Sequence, residues 1–312
     1  MRLLNLHAMI ISLGSVLLIS PGKGISEAGY KAITRYANGF VAVGSEGRID
    51  MISPSGAIIG SDIFPGENLN CIVSNEKMII AAGDSGTVLV SYDGDSFRKV
   101  ESSTDNNINS ITIFNKTIIA GADQGEIVLG DTLARFWKTR PGTKGNIVSV
   151  SAGRSVCYGV TDEGEIIHSG DGINWEIFDL NQVYRGFYQP GHFTKVLVTD
   201  DRIAVTGFRN DGSPLLMFSS QGRVWTERNL NYLDDNEMEG TLRNVPNDIL
   251  YDEAEDQFFI ACNKGNLMKL SSCPHCNKLT VLTGEDLTGI SSVENTLMIV
   301  GNNFFIKALI IR

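Results

Sequence analysis

The sequence is poor in the residues that most often announce a chemistry. It has four histidines, five cysteines and eight prolines among 312 residues. His7, His168, His192 and His275 stand apart from one another, so there is no His-Glu-x-x-His pair and no metal-ligating set is expected. A satisfied structural histidine is the default reading for each. A Gly-x-Ser-x-Gly elbow and a phosphate-binding loop are also missing. Cys71, Cys157, Cys262, Cys273 and Cys276 are too few and too scattered for a disulfide scaffold. Lysine and arginine number 26 against 36 acidic residues, a net charge of −10, and no long basic run occurs. That balance argues against nucleic acid, whose phosphates are held by clustered cations. The 3.6-residue apolar period of helical repeats is missing too.

Glycine is what the chain has in quantity, 33 residues of it, which points to many short strands joined by turns. One apolar pattern recurs: a strand, a small-x-x-Gly turn, and a second strand. It ends at Gly47, Gly86, Gly125, Gly164, Gly212 and Gly265, and at Phe304 where the glycine is lost. The offsets are 39, 39, 39, 48, 53 and 39 residues. Glycine belongs there because a tight hairpin needs positive φ at its centre or exit. Around the third turn the strands read Asn109–Phe114, Thr117–Gly121, Glu126–Leu129 and Phe136–Thr139. Four short strands in about 40 residues is the period of a propeller blade. The expected fold is therefore all-β, a seven-bladed β-propeller with four-stranded antiparallel blades. Residues 29–312 form one domain, its blades at 29–66, 67–104, 105–143, 144–192, 193–243, 244–285 and 286–312. The last has room for three strands.

A second turn follows the third strand of the first six blades. Ser91-Tyr92-Asp93-Gly94-Asp95-Ser96-Phe97 and Ser169-Gly170-Asp171-Gly172-Ile173-Asn174-Trp175 resemble the Ser-x-Asp-Gly-x-x-Trp form of the Asp-box, the bacterial neuraminidase repeat. The stretches beginning at Ser219, which ends on Trp225, and at Ser53 are degenerate copies, and the one at Gly130 is weaker still. The Ser and Asp oxygens are suited to capping turn N–H groups, Gly to a strained position, and the aromatic to packing between sheets. The resemblance implies kinship with sialidase, sortilin-like and photosystem II assembly-factor-like propellers. It implies ligand binding on the face of the small-x-x-Gly turns. The sialidase marks do not follow: Phe208-Arg209-Asn210-Asp211-Gly212-Ser213-Pro214 is the only Phe-Arg closely followed by proline, and it lies inside a blade turn.

The two long offsets locate insertions after Trp175 and after Trp225, between consecutive blades. The first, 179–192, brings Tyr184, Arg185, Phe187, Tyr188 and His192 as ligand-binding candidates. Ring faces and an arginine suit a sugar, and the same rings could instead pin the loop. The second, 231–243, is acidic. Asp234 and Asp235 are candidates there, in a run that lacks the spacing of a calcium loop and reads equally as a solvated surface.

Cys273-Pro274-His275-Cys276 resembles a thiol-oxidoreductase sequence, yet it falls at the second turn of the sixth blade, without the helix that lowers a thiol pKa. A turn-closing Cys273–Cys276 disulfide is the expectation. Residues 1–28 support two readings. Arg2, the apolar core Ala8–Ile19 and Ser26-Glu27-Ala28 form a signal-peptide pattern. Part of 15–30 could alternatively be a strand that closes the ring. Asn5, His7 and Gly14 interrupt the apolar run, so no stable membrane span is expected. The sequence thus leads to a monomeric, non-catalytic propeller without cofactor, recognising a glycan or protein partner outside the cytoplasm. A degenerate sialidase-like glycoside hydrolase is the alternative function, and the cytoplasm the alternative location.

Overall fold

The computed structural model describes residues 27–180, 191–234, 238–272 and 276–311. The strands form seven antiparallel blades in a ring. Blade one comprises Tyr30–Tyr36, Gly39–Gly44, Arg48–Ile52 and Ile58–Ile63; blade two, Leu69–Ser74, Ile79–Gly83, Val88–Ser91 and Arg98–Val100. Blade three comprises Ile108–Phe114, Thr117–Ala122, Ile127–Gly130 and Phe136–Thr139; blade four, Ile147–Ala152, Cys157–Thr161, Glu165–Ser169 and Glu176–Asp179. Blade five comprises Gly191–Val198, Ile203–Arg209, Pro214–Ser219 and Thr226–Glu227; blade six, Pro246–Asp252, Gln257–Cys262, Asn266–Ser271 and Lys278–Val281. Blade seven has Leu287–Val293, Thr296–Gly301 and Ile306–Ile310 among the described residues. The first strand of each blade packs beside that of the next, and blade seven's beside blade one's.

Each seam between neighbouring blades has its own apolar cluster, seven in all. Strand Ile79–Gly83 shows how: Ile79 and Ala81 face blade one, whereas Ile80 and Ala82 face blade three. Because side chains alternate and both sheet faces are covered, these strands are apolar throughout instead of every second residue.

The small-x-x-Gly turns define one face of the ring, here the upper, and the Ser-x-Asp-Gly turns lie with the first-to-second-strand hairpins on the lower. In five upper turns two consecutive residues have positive φ: Glu46-Gly47, Ser85-Gly86, Gln124-Gly125, Lys264-Gly265 and Asn303-Phe304. The glycine's Cα is crowded as well as left-handed, since a Cβ on Gly47 would sit 1.7 Å from the Phe64 carbonyl oxygen. Phe304 adopts the same backbone, with its ring edge-on to Tyr30 at 5.2 Å.

Three details differ from the sequence expectation. Gly191 and His192 belong to blade five, where they pair with Arg209 and Phe208. The second insertion is a hairpin, Asn231–Leu233 with Glu239–Thr241, joined to the outer edge of blade six by Leu233 opposite Lys278. It lies level with the first residue after blade six's lower turn, away from the upper face, because Asn277 grips it: Asn277 Nδ2 donates to Asn231 O at 2.8 Å and Leu233 N to Asn277 O at 3.2 Å. Blade six is consequently six strands wide.

At the join of blades seven and one, Asn303 N donates to Ala28 O at 2.7 Å and Asn302 Nδ2 to Glu27 Oε2 at 3.2 Å. The rest of the 1–28 segment, whether signal or closing strand, lies outside the described residues. No helix among the described residues is long and apolar enough to cross a membrane.

Candidate functional site

All seven first strands carry a β-bulge at the same place near the upper face. The extra residues are Lys31, Asn70, Asn109, Val148, Thr194, Asn247 and Thr288, each half-buried. A bulge re-aims one side chain out of the ladder, and here five of the seven reach the next blade. Asn70 Nδ2 donates to Ile108 O at 3.3 Å and Asn109 Nδ2 to Ile147 O at 3.2 Å. Thr194 Oγ1 donates to Pro246 O at 2.7 Å, Asn247 Nδ2 to Leu287 O at 2.8 Å, and Thr288 Oγ1 to Tyr30 O at 2.7 Å.

A second relay runs above this ring. The side-chain oxygens of Asn68, Asn107, Asn146 and Asp286 accept from the preceding blade's turn, from Glu46 N, Ser85 N, Gln124 N and Lys264 N at 3.1, 3.0, 2.9 and 2.8 Å. The three asparagines donate in turn to Asp84, Asp123 and Asp162 of their own blades. Asp84 and Asp123 each take a further amide, from Asn70 and Asn109. The polar residues that crowd the upper mouth are therefore engaged in holding blades together. Lys31 is the cation among them; burial pulls its ammonium pKa down, against the pull of Glu27, Asp286 and Asp84.

His192 stands on this rim and has an internal role. Its Nδ1–H donates to the Asp162 carbonyl at 2.6 Å across the seam of blades four and five, and its ring lies 5.1 Å from Phe208. Asp234 closes the tip of the edge hairpin, its Oδ1 accepting from Met238 N at 2.9 Å. Tyr184, Arg185, Phe187, Tyr188 and Asp235 lie outside the described residues, as does Cys273. Among the described residues no group of three or more His, Cys, Asp or Glu side chains could hold a metal ion. Cys71 and Cys157 are pushed up to about 12 by burial, and Cys262 is raised by the same cause, so these thiols are held protonated.

The lower turns have the geometry expected of them. Ser91 Oγ accepts from Gly94 N at 2.9 Å, and Asp93 Oδ1 from Asp95 N and Ser96 N. Ser169 and Asp171 repeat this with Gly172, Ile173 and Asn174. Backbone donors, Asn174 N first and Ile173 N next, hold the Asp171 carboxyl well below the usual carboxylate range. Phe97, Phe136, Trp175 and Trp225 pack into the seams of blades one–two, two–three, three–four and four–five.

Glu126, fully buried just past the third upper turn, forms the densest polar knot. Burial would raise its pKa, but Thr104 Oγ1 at 2.5 Å, Arg140 Nη2 at 2.6 Å and Lys138 Nζ at 3.2 Å outweigh that and bring it down to about 2. Because the folded-state pKa lies below the unfolded value near 4.3, the stabilisation is present above about pH 4.5 and is lost as pH falls toward 2. Glu126→Gln should accordingly lower the urea midpoint at pH 7 and leave a gap to the wild type that closes between pH 5 and 2. A gap independent of pH would refute the assignment.

Among the described residues, cavities lie on the lower face and on the outer rim beside it. Two adjoin at the seam of blades five and six and share Arg228. One, of about 330 Å³, is lined by Arg202, Phe218, Asp256, Phe258, Leu270 and the first residues of blade six's lower turn. The other, of about 370 Å³, lies under the edge hairpin and includes Glu227, Tyr232 and Glu239.

No family model and no curated protein matches the chain. The solved structures do give likenesses. The computationally designed Ika8 protein superposes with a TM-score of 0.65 at 12% identity, over 91% of this chain and 97% of that one. The Pan2 WD40 domain of Neurospora crassa superposes with 0.68 at 8% identity, over 90% and 88%. What is shared is the fold. At such identity nothing beyond the propeller architecture carries over.

Proposed function

We propose that this propeller is a non-catalytic binding or scaffold module, and that blades four to six form its recognition sector for a protein or glycan partner. The observation that carries the reading is the break in the repeat there. Blade five's fourth strand is reduced to Thr226–Glu227, and the chain then crosses to build the hairpin on blade six. That departure opens the two adjoining cavities at the seam, whereas the upper-face polar groups elsewhere serve the ring. The Ser-x-Asp-Gly turn geometry supports kinship with the Asp-box propellers, and the signal-peptide pattern of residues 1–28 supports action outside the cytoplasm. The second reading, a degenerate glycoside hydrolase, has Glu227 and Glu239 lining one cavity in its favour; Glu227, however, already accepts from Arg209.

Glycan-array binding and affinity capture should be run with the intact chain and with a variant whose hairpin tip, residues 234–238, is replaced by Asn-Gly. We expect one saturable partner whose affinity falls at least tenfold in the variant. Absence of any saturable partner, or turnover of a glycoside panel by the intact chain, would overturn the proposal.

A further inference from the structure

Four of the lower turns place an aromatic ring six residues after the residue that opens them: Gly130 leads to Phe136, and Ser91, Ser169 and Ser219 lead to Phe97, Trp175 and Trp225. Each ring enters the seam with the preceding blade. In blade six the turn opens at Ser271, and the sixth residue on is Asn277. That asparagine is buried, and its amide serves other ends: Oδ1 accepts from Ser271 N at 3.2 Å while Nδ2 holds the edge hairpin. Among the described residues this turn therefore brings no ring to the seam of blades five and six, and the 330 Å³ cavity opens there, beside Ser271 and Ser272. Its size is at the small end of the roughly 300–1,000 Å³ of ligand sites, suited to a single ring. Phe218 and Phe258, 5.0 Å apart, supply aromatic walls.

The charges of this cavity are unevenly matched. Arg202 pairs with Asp256 at 2.9 Å and Asp201 at 3.3 Å, and its guanidinium lies 5.2 Å from the Tyr251 ring. Asp256 also accepts from the Tyr251 hydroxyl at 2.8 Å. Arg228, half-buried and common to both cavities, donates to Ser271 O at 3.0 Å and has no carboxylate partner among the described residues. A half-buried guanidinium whose one hydrogen bond is to a carbonyl favours an incoming anion.

We infer that this cleft receives an aromatic side chain from an extended segment of a partner protein, with a carboxylate beside it on Arg228. The partner's ring takes the place that the blade's own ring takes in four other seams. This deepens the binding-module reading, and it is tested with a small probe so that the two can fail separately.

N-acetyl-tryptophan carries both groups, and N-acetyl-tryptophanamide lacks the charge. Ligand-observed NMR titration of the full chain should give saturable binding of the carboxylate in the 0.1–1 mM range, about what one ring and one charge reach. The amide, or the Arg228→Gln variant, should bind at least tenfold more weakly. Ser272→Trp, which fills the cleft from its rim, should abolish binding. If that variant does not fold, Arg228→Gln still decides. No saturable binding up to 10 mM (roughly tenfold above that range) would overturn the inference. So would equal affinity for carboxylate and amide, or unchanged affinity in Arg228→Gln. Ring binding with no protein partner would remove the scaffold reading and leave the cleft.

Discussion

Replacing Asp50 by leucine is expected to destabilise the fold by about 3–5 kcal/mol, the range for removing one partner of a buried charged network. Asp50 is fully buried in the third strand of blade one, at the seam with blade seven. Its carboxylate accepts from the Tyr30 hydroxyl, from Arg48 Nε at 2.6 Å and from Ser61 Oγ at 2.5 Å, so one side chain ties the first, third and fourth strands together. Arg48 in turn lies 4.7 Å over the Phe304 ring of blade seven. Leucine fits the volume but leaves a buried phenol without an acceptor and a part-exposed guanidinium with only solvent in its place. Burial, the first cause of the raised Tyr30 pKa, remains in the variant, so the phenol cannot escape by ionising. Ser61→Ala removes one neutral donor at the solvent side and should cost about 1 kcal/mol. Urea midpoints of the two variants measure the contrast. A loss below about 1.5 kcal/mol in Asp50→Leu would show that the network is dispensable.

Gly86→Ala should cost about 3 kcal/mol or more, against about 1 kcal/mol for Gly142→Ala. Both glycines are left-handed, with φ of +66° and +94°. The surroundings separate them: a Cβ on Gly86 would lie 1.8 Å from the Thr104 carbonyl oxygen, whereas nothing lies within 4 Å of one on Gly142. Relief at Gly86 would require moving the strand-to-blade connection that contains Thr104, whose hydroxyl serves Glu126. Thermal melts should rank the variants in that order. Equal shifts would mean that dihedral strain alone explains the glycine requirement.

The ring was legible in the sequence because each seam imposes the same turns on the chain, and a 39-residue register survives where geometry forbids drift. The strands around Gly125 fall within a residue or two of their expected bounds for the same reason. The edge hairpin was not legible. Its strands are three residues long, and Asn231, Glu239 and Thr241 are exposed, so no apolar alternation marks them. Pairing with blade six is set by a single asparagine 46 residues away. The relay above the bulges left a fainter trace: Asn68, Asn107 and Asn146 recur at 39-residue steps, as do Asp84, Asp123 and Asp162. Those polar repeats look like turn residues until the amide of one is seen to reach the carboxylate of the other. His192 carried a candidate's residue type, and its Nδ1 bonds a carbonyl across the seam, a contact that no sequence spacing announces. The cleft between blades five and six was readable only as a missing aromatic, which requires the four rings to be seen in place first.

No described stretch of chain crosses the join between blades seven and one, yet it repeats the contacts of the joins that are crossed. Thr288 meets Tyr30 as Asn247 meets Leu287, and Gly29 pairs with Asn302 beside the chain's own turn. Covalent order is thus not what orders the blades: each neighbour recognises the next through side chains. A circular permutant joined through this seam and opened at the exposed Gly142 should find the same ring, its start simply moved around the circle.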